Sequence, residues 1–330
     1  MQDLEKTKHF TTQSEIICNN LIHYIPENVN LIEPFVGDGD LLSLFPNHNW
    51  EIYDIEKHDN NNNIVQDTLK NPPTYKDKWV ITNPPYLAKN KSINKEIFNL
   101  YETDDLYKAA MLSILDCEGG ILIIPTNFFT DERTKDIRIK FLNQFLIHEV
   151  NVFTQPIFES TTYSVCSFAF KRKENKPENQ KILFNIKPKE EQTFIELNPV
   201  YGYRVAGEFY NELNNIKPIF GRLIGKTSSD FITNIKLYAI DTRNDRIRVE
   251  YCEEPYYGKQ SDRTYATLTC KKELTIEKQK QLIQHFNQEL ENFRIKYHDI
   301  SMTNYRDYNR KRIAFTFAYQ LATKILNLFL

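Results

Sequence analysis

Short apolar runs separated by polar turns dominate the first half of the chain. Each run is three to seven residues long, which is typical of buried strands, and segments with helical periodicity lie between several of them. Strands that alternate with helices favour an α/β fold around a largely parallel sheet. The predicted strands lie at 31–33, 50–55, 64–67, 79–82, 119–125, 148–153 and 165–171, and the predicted helices at 14–24, 106–115 and 133–146.

The second half of the chain has a different pattern, in which short β-like segments precede two helices. The segment 171–178 between the halves is charged, contains a proline and has no periodicity, which indicates a boundary. We therefore predict two domains, residues 1–175 and 176–330, the second of mixed α+β character. Its predicted strands lie at 181–186, 193–197, 234–239 and 246–251, and its predicted helices at 273–297 and 313–330.

The tetrapeptide Asn83-Pro84-Pro85-Tyr86 directly follows the apolar run at 79–82. It is therefore expected at the carboxyl end of a strand, where open α/β sheets bind their ligands. The two prolines stiffen the turn, the Asn83 amide oxygen can accept a hydrogen bond, and Tyr86 offers a flat ring. These groups are suited to binding a planar amino group. The alternative is an ordinary Asn-Pro turn.

A glycine-containing turn, Glu33-Pro34-Phe35-Val36-Gly37-Asp38-Gly39, follows the first predicted strand. The glycines let the backbone turn tightly beside a ligand, and the absence of a third glycine argues against a pyrophosphate site. Asp54, near the end of the next strand, can accept hydrogen bonds from two ribose hydroxyls. Asp67 follows a third strand, where an adenine amino group could donate to it.

The order of these motifs resembles that of the amino-group DNA methyltransferases, specifically N6-adenine enzymes of the gamma class. The Phe35–Gly39 segment resembles their S-adenosylmethionine motif, and Asn83–Tyr86 resembles their catalytic motif. Lys8–Thr12 is similar to the N-terminal motif that packs against the methionine end of the cofactor. Ile157–Phe168 resembles the later motif whose aromatic side chain stacks on the extruded base. The matches cover residues 8 to 170.

The resemblance implies a Rossmann-like, S-adenosylmethionine-dependent methyltransferase sheet followed by a smaller target-recognition lobe. In this interpretation residues 1–175 form the catalytic domain, and residues 176–330 form the DNA-recognition region with the C-terminal helices. The implied catalytic residues are Asn83, Pro84, Pro85 and Tyr86; the implied base-stacking residues are Tyr86 and Phe158, with Tyr163 as a rival; and the implied cofactor-binding residues are Phe10, Thr11, Glu33, Phe35, Gly37, Gly39, Asp54, Ile55 and Asp67.

The net charge of −2 conceals an uneven distribution along the chain. Residues 1–170 contain 14 Lys and Arg against 24 Asp and Glu, and residues 171–330 contain 28 against 20. The basic half is the expected nucleic-acid face, although drift of composition could give the same asymmetry. The predicted DNA contacts are Arg263, Arg306, Arg310, Lys311 and Arg312, of which the last four could also be a solvated helix start.

Composition argues against a membrane-spanning, secreted or metal-binding protein. The chain has no apolar run of membrane-spanning length, and its N-terminus lacks a signal-peptide core. Five scattered cysteines are typical of a reduced, cytoplasmic protein. The histidines show no metal-ligand spacing, so we expect no metal.

The expected activity is site-specific adenine-N6 methylation of double-stranded DNA, as in a type II restriction-modification system with a restriction endonuclease in the same cell. The C-terminal half most resembles small methyltransferases for four-base palindromes such as CATG. Two alternatives remain open at this point. One is an N5-glutamine protein methyltransferase, which uses a similar tetrapeptide on an amide. The other is a non-catalytic subunit that binds S-adenosylmethionine or confers DNA specificity.

Overall fold

The computed structural model describes residues 14–158, 164–174, 178–304 and 309–329. The chain divides into two compact units, and the division falls between Arg204 and Val205. The first unit is built around a large mixed sheet, and the second around a smaller antiparallel sheet.

The sheet of the first unit contains nine strands among the described residues, in the order β3-β2-β1-β4-β5-β7-β6-β8-β9. The predicted α/β fold is thereby confirmed, and all seven strands predicted for the first half are present. The strands are β1 (Asn30–Glu33), β2 (Asn49–Asp54), β3 (Ile64–Val65), β4 (Trp79–Thr82), β5 (Gly119–Pro125), β6 (Phe145–Phe153), β7 (Val165–Arg172), β8 (Gln180–Lys187) and β9 (Glu191–Leu197).

The order of strands reverses direction between β1 and β4. The chain runs from β1 outward to β2 and β3, and then returns to pair β4 with β1 on the other side. All of these pairings are parallel, as is β4 with β5, whereas β7 is antiparallel to both of its neighbours. In open α/β sheets the crevice at such a reversal is the usual ligand site. It lies here at the carboxyl ends of β1 and β4.

Helices and a cluster of phenylalanines complete the first unit. Phe141 of the helix after β5 packs against Phe145, Phe168 and Phe170 of the sheet, with ring centroids 4.7–6.1 Å apart. This aromatic core lies on the antiparallel side of the sheet. The α-helices of this unit are α1 (Ser14–Cys18), α2 (Glu96–Leu100), α3 (Leu106–Ser113) and α4 (Lys135–Gln144).

The division of the chain lies later than the predicted boundary after residue 175. Strands β8 and β9 continue the first sheet, because β8 pairs in parallel with β6 and β9 pairs with β8. The charged segment at 171–178 therefore begins inside β7 and precedes β8 of the same sheet. A polar link within a sheet and a polar link between domains look alike in sequence.

The second unit packs helices on one face of a four-stranded antiparallel sheet with the order β10-β13-β11-β12. In β11 (Phe231–Tyr238), buried side chains alternate with half-exposed ones from residue 233 onward, as expected when one face is covered. The elements are α5 (Gly207–Asn214), β10 (Phe220–Arg222), β11 (Phe231–Tyr238), β12 (Arg248–Tyr251), β13 (Tyr265–Cys270), α6 (Ile276–Lys296), β14 (Thr303–Asn304), β15 (Lys311–Arg312) and α7 (Phe315–Phe329).

Within the described ranges, no helix combines the length and the apolar character needed to cross a membrane. In the same part of the chain, no group of three or more histidine, cysteine, aspartate and glutamate side chains is arranged to hold a metal ion.

Candidate functional site

A pocket of about 260 Å³ opens at the point where the strand order reverses. It draws its walls from the turn after β1, the end of β2, the segment after β3 and the tetrapeptide after β4. The structure thus brings together most of the residues that the sequence singled out. Predicted residues in its lining are Glu33, Phe35, Gly37, Asp54, Ile55, Asp67, Asn83 and Pro85.

The glycine turn after β1 is shaped by backbone conformations that favour glycine. Gly37 has φ +53° and Gly39 has φ +89°, both in the left-handed region. The turn is tied to β2 by two hydrogen bonds, from Val36 N to Tyr53 O at 2.8 Å and from Gly37 N to Asp54 Oδ2 at 3.0 Å. The glycine turn and the β2 carboxylate are therefore one structural element.

Two carboxylates face the pocket with part of their acceptor capacity already used. Asp54 Oδ1 accepts a hydrogen bond from Glu56 N at 3.0 Å, in addition to the bond from Gly37 N to Oδ2. Asp67 Oδ1 accepts from Leu69 N and Lys70 N, each at 3.1 Å. The second oxygen of Asp67 accepts no hydrogen bond from the described residues, so it is available to an amino group in the pocket.

Glu33 lies under the pocket floor and is only 1% exposed. Its Oε1 accepts hydrogen bonds from Phe35 N at 3.0 Å and from the hydroxyl of Thr82, which ends β4. Burial raises the pKa of Glu33 to about 8, against the opposing effect of these two donors. Glu33 therefore links the two central strands through a carboxyl group that is largely protonated at neutral pH.

One part of the tetrapeptide lines the pocket, and another part is buried in the core. Asn83 and Pro85 line the pocket, whereas Tyr86 is only 5% exposed. The Tyr86 hydroxyl lies 2.5 Å from Asn83 Oδ1 and 2.7 Å from Ile123 O, and its single proton can serve one acceptor at a time. Burial raises the pKa of Tyr86 well above its ordinary value, so the hydroxyl remains a donor.

The predicted base-stacking rings do not lie on an open surface. Phe158 is 3% exposed and does not line the pocket, and Tyr86 packs edge-on against Tyr107 with ring centroids 6.3 Å apart. Their stacking role stays a prediction that requires the rings to become accessible. Tyr163, Phe10 and Thr11 lie outside the described residues.

Residues of the Asn-rich loop after β2 are the main components that the sequence did not reveal. Asn61 Nδ2 donates to Gly37 O at 3.0 Å, so the carbonyl of Gly37 is held by Asn61 and its N–H by Asp54. Asn63 Nδ2 donates to Glu56 O, and Asn63 Oδ1 accepts from His58 N. Asparagine side chains often bond to backbone in this way, so the run 60–63 was a signal that could have been used.

The predicted DNA contacts in the second unit differ in exposure. Arg263 is exposed, Arg310 and Arg312 are half-exposed, and Arg306 lies outside the described residues. The prediction that Lys311 contacts phosphate is corrected by the structure, because the side chain is only 4% exposed. Its ammonium donates to Asn304 Oδ1 at 2.5 Å and to Asn309 Oδ1 at 2.7 Å. Burial lowers the pKa of Lys311 to about 8.

A Gly39→Ala substitution should weaken ligand binding in this pocket by about threefold or more, equivalent to about 0.7 kcal/mol. The added Cβ would lie 3.3 Å from Leu42 Cδ1 and 3.4 Å from Asn61 Nδ2, so it would disturb the side chain that fixes Gly37. Calorimetry with S-adenosylhomocysteine, together with thermal unfolding, measures both effects.

The matched control for this substitution is Gly225→Ala. Gly225 also has a positive φ, +71°, but a Cβ there would meet no atom within 4 Å. Both substitutions should lower stability by about 1 kcal/mol through backbone strain alone. Equal ligand affinity in the two variants would show that the Asn61 contact does not shape the pocket.

Comparison with known family models finds a similarity in the central part of the chain. Residues 44–200 match the family model described as N-6 DNA Methylase. The match contains β2 to β9 and the tetrapeptide, and it ends close to the division between the units. The search of curated proteins gave no match to the chain. With the sheet order described above, the first unit has a Rossmann-like methyltransferase fold, as predicted.

Solved structures similar to the chain include restriction-modification proteins. The type IIG restriction endonuclease BpuSI is 14% identical with a TM-score of 0.43, and covers 67% of this chain and 37% of its own. The EcoKI M protein is 14% identical with a TM-score of 0.40, and the similarity covers 54% of this chain and 48% of the EcoKI M protein. A type I restriction-modification methyltransferase subunit from Streptococcus thermophilus is 17% identical with a TM-score of 0.39. The similarity covers 56% of this chain and 48% of that subunit. The chain thus spans about half or less of the length of these proteins.

Proposed function

We propose that the protein is a site-specific DNA methyltransferase that transfers a methyl group from S-adenosylmethionine to N6 of an adenine flipped out of duplex DNA. The observation that carries this proposal is the meeting of Asn83 with Asp54 and Asp67 in one pocket. An acceptor for an amino group and the carboxylates for an adenosine lie side by side there. The family match at 44–200 supports the same class of reaction.

The pocket residues fit an adenosine-containing cofactor. Asp54 would accept hydrogen bonds from the ribose hydroxyls, and the vacant oxygen of Asp67 would accept from the adenine amino group. The exposed Ile55 offers an apolar contact beside them. Phe35 and the glycine turn would hold the methionine part. S-adenosylmethionine would supply an already activated methyl group.

The chain's own contribution to the chemistry would be made by the tetrapeptide. The lone pair of adenine N6 is delocalised into the ring, so the nitrogen is a poor nucleophile. Asn83 Oδ1 and the Pro84 carbonyl would accept its two hydrogens and favour a tetrahedral nitrogen with a free lone pair. Alignment and electrostatics would then provide most of the acceleration, without a covalent intermediate.

Entry of the target base would require a local rearrangement around Tyr86. Its hydroxyl contacts Asn83 Oδ1, the same oxygen that would accept the N6 hydrogen. The second acceptor at Ile123 O can retain the Tyr86 proton when Asn83 turns to the base. Stacking of the base on Tyr86 and Phe158, with Tyr163 as the rival, remains part of the proposal.

Single-molecule sequencing of DNA from cells that express the chain tests the proposal directly, because it reports the modified base and the sequence around it. We expect N6-methyladenine at one short recognition sequence. Unmodified DNA, combined with methylation of a glutamine in a protein substrate, would instead support the N5-glutamine alternative. Unmodified DNA with intact cofactor binding would support the non-catalytic alternative.

The wider role that we propose is modification in a type II restriction-modification system in the cytoplasm, of the gamma class and with a four-base palindrome such as CATG as the target. The basic character of residues 171–330 supports duplex DNA as the partner. A restriction endonuclease with the same recognition sequence would be the functional partner.

We predict that the triple variant Arg306→Ala, Arg310→Ala, Arg312→Ala will bind DNA with a weaker dependence on salt. Each lost phosphate contact should reduce the slope of log affinity against log salt by about one. Arg310 and Arg312 flank the buried Lys311, which holds that position in the fold. Affinities for a cognate and a scrambled duplex at several salt concentrations give the slope.

The control removes the same charge from exposed lysines of the same unit, as Lys271→Ala, Lys272→Ala, Lys278→Ala. If both triple variants change the slope equally, general charge and not a defined contact is responsible. A slope unchanged from wild type in the arginine variant would point to the exposed Arg263 and its loop as the contact surface.

A further inference from the structure

His58 joins the two carboxylates that border the glycine turn. Its Nε2 lies 3.4 Å from Asp54 Oδ1, and its Nδ1 lies 3.5 Å from Asp38 Oδ1. The imidazole is 12% exposed and lines the same pocket. Both ring nitrogens therefore face negative oxygens. Only the doubly protonated ring can offer a hydrogen to each, because a neutral imidazole carries one N–H.

The number of hydrogen bonds that Asp54 can accept limits how many ligand hydroxyls it can bind while His58 is beside it. An ionised carboxylate has about four lone-pair positions. Gly37 N and Glu56 N occupy one position on each oxygen, and the protonated His58 faces the second position on Oδ1. Counting donors from the described residues only, one position then remains on Oδ2. A ribose brings two hydroxyl donors, so Asp54 cannot accept both while His58 is protonated.

A neutral His58 removes this conflict. With its proton on Nδ1, the ring still donates toward Asp38 and turns a lone pair on Nε2 toward the position beside Asp54. The second lone-pair position on Oδ1 is then open, so Asp54 can accept hydrogen bonds from both ribose hydroxyls. The backbone of His58 is held in place independently, since its N–H donates to Asn63 Oδ1 at 3.0 Å.

We infer that His58 is a positioning residue for the cofactor's ribose, and that cofactor binding expels its second proton. This inference rests on the proposed use of S-adenosylmethionine. It assigns to the pocket a pH dependence: histidine changes charge between pH 5 and 8, and cofactor affinity should increase as pH rises through that range. The protonated ring also adds a positive charge near a cofactor that is itself cationic.

Other titratable groups near this part of the pocket would also respond to pH. Asp38 faces His58 from the glycine turn, and Asp54 faces it from the end of β2. Glu56 and Lys57 precede it in its own segment, and the Lys57 ammonium donates to Asn63 O. In the remaining lining, Asp40, Asp67 and Glu33 are ionisable, and the raised pKa of Glu33 lies in the same pH range. The test must therefore isolate His58 by comparison with a variant.

Calorimetric titration with S-adenosylhomocysteine at pH values from 5.5 to 8.0, in two buffers of different ionisation enthalpy, gives both the affinity and the number of protons released. Wild-type protein should bind about tenfold more tightly at pH 8.0 than at pH 5.5. Near pH 5.5 it should release close to one proton per ligand.

His58→Asn keeps a polar side chain with an amide donor but cannot take up a proton. It should flatten the pH dependence and abolish the proton release that is specific to wild type, while any contribution from Glu33 persists. His48→Asn is the matched control, because His48 contacts Pro26 O and does not line the pocket; it should behave as wild type.

Each other outcome overturns the inference. If wild type and His58→Asn release the same number of protons, His58 does not titrate with binding. If wild type binds with constant affinity across the range, the ribose does not compete with the imidazolium. If wild type binds no S-adenosylhomocysteine at any pH, the proposed function fails together with the inference, which distinguishes that result from the first two.

Discussion

Asn83→Ala should lose methyl transfer by at least about 10²-fold while it retains cofactor affinity, because removal of a single transition-state hydrogen-bonding group costs about that much. Asn83 lines the pocket next to the carboxylates that would hold the adenosine, but its amide oxygen would contact the base. The loss should therefore appear in turnover of methylated DNA, measured with a saturating duplex, and not in calorimetry with S-adenosylhomocysteine.

Asn99→Ala is a suitable control for this variant. Asn99 is an exposed asparagine whose Oδ1 accepts from Lys89 Nζ, and it does not line the pocket. It should methylate DNA at the wild-type rate. Near wild-type turnover in Asn83→Ala would contradict the proposed adenine mechanism and would indicate that the tetrapeptide is only a structural turn after β4.

Tyr86→Phe separates two functions of the neighbouring tyrosine. The substitution removes the hydroxyl that contacts Asn83 Oδ1 and Ile123 O, and leaves the ring. If Tyr86 acts by stacking, the variant should retain most turnover, and Tyr86→Ala should not. If Tyr86 acts by orienting the Asn83 amide, both variants should lose turnover to a similar extent.

The strands and the location of the pocket could be predicted because they depend on local apolar runs and on one topological rule. Residues 79–82 are all buried in β4, as a continuous apolar run suggests. Parallel strands present their carboxyl ends at one edge, so Gly37 and Asp54 were expected near each other despite the distance between them in sequence. Their hydrogen bond at 3.0 Å agrees with that expectation.

Side-chain direction in irregular segments could not be predicted in the same way. His58 and Asn61 lie in a loop without periodicity, and nothing in their spacing shows that they face the glycine turn. The basic stretch at 306–312 posed a related difficulty, because a run of cations reads as exposed. Lys311 is instead buried on β15, where Asn304 and Asn309 satisfy its ammonium. Tertiary burial of one cation within a basic run leaves no local signature.

Asp54→Ala should weaken cofactor binding by about 30- to 150-fold. Two charge-assisted hydrogen bonds to ribose hydroxyls are together worth roughly 2–3 kcal/mol, and tenfold in affinity corresponds to about 1.4 kcal/mol. The substitution also removes the acceptor of Gly37 N and Glu56 N, so part of the loss would come from the glycine turn itself. Asp54→Asn retains one acceptor oxygen and should lose less.

Glu51→Ala provides the control on the same strand. Glu51 forms an ion pair with Lys78 at 2.7 Å, lies three residues before Asp54 on β2 and does not line the pocket. A partly exposed pair of this kind contributes about 0–1 kcal/mol to stability, so cofactor affinity should be unchanged. Calorimetry with S-adenosylhomocysteine that gives the same affinity for Asp54→Ala, Glu51→Ala and wild type would reject Asp54 as the ribose ligand. It would also remove the basis for a proton-linked role of His58, because that role requires the ribose and the imidazolium to compete for the same carboxylate.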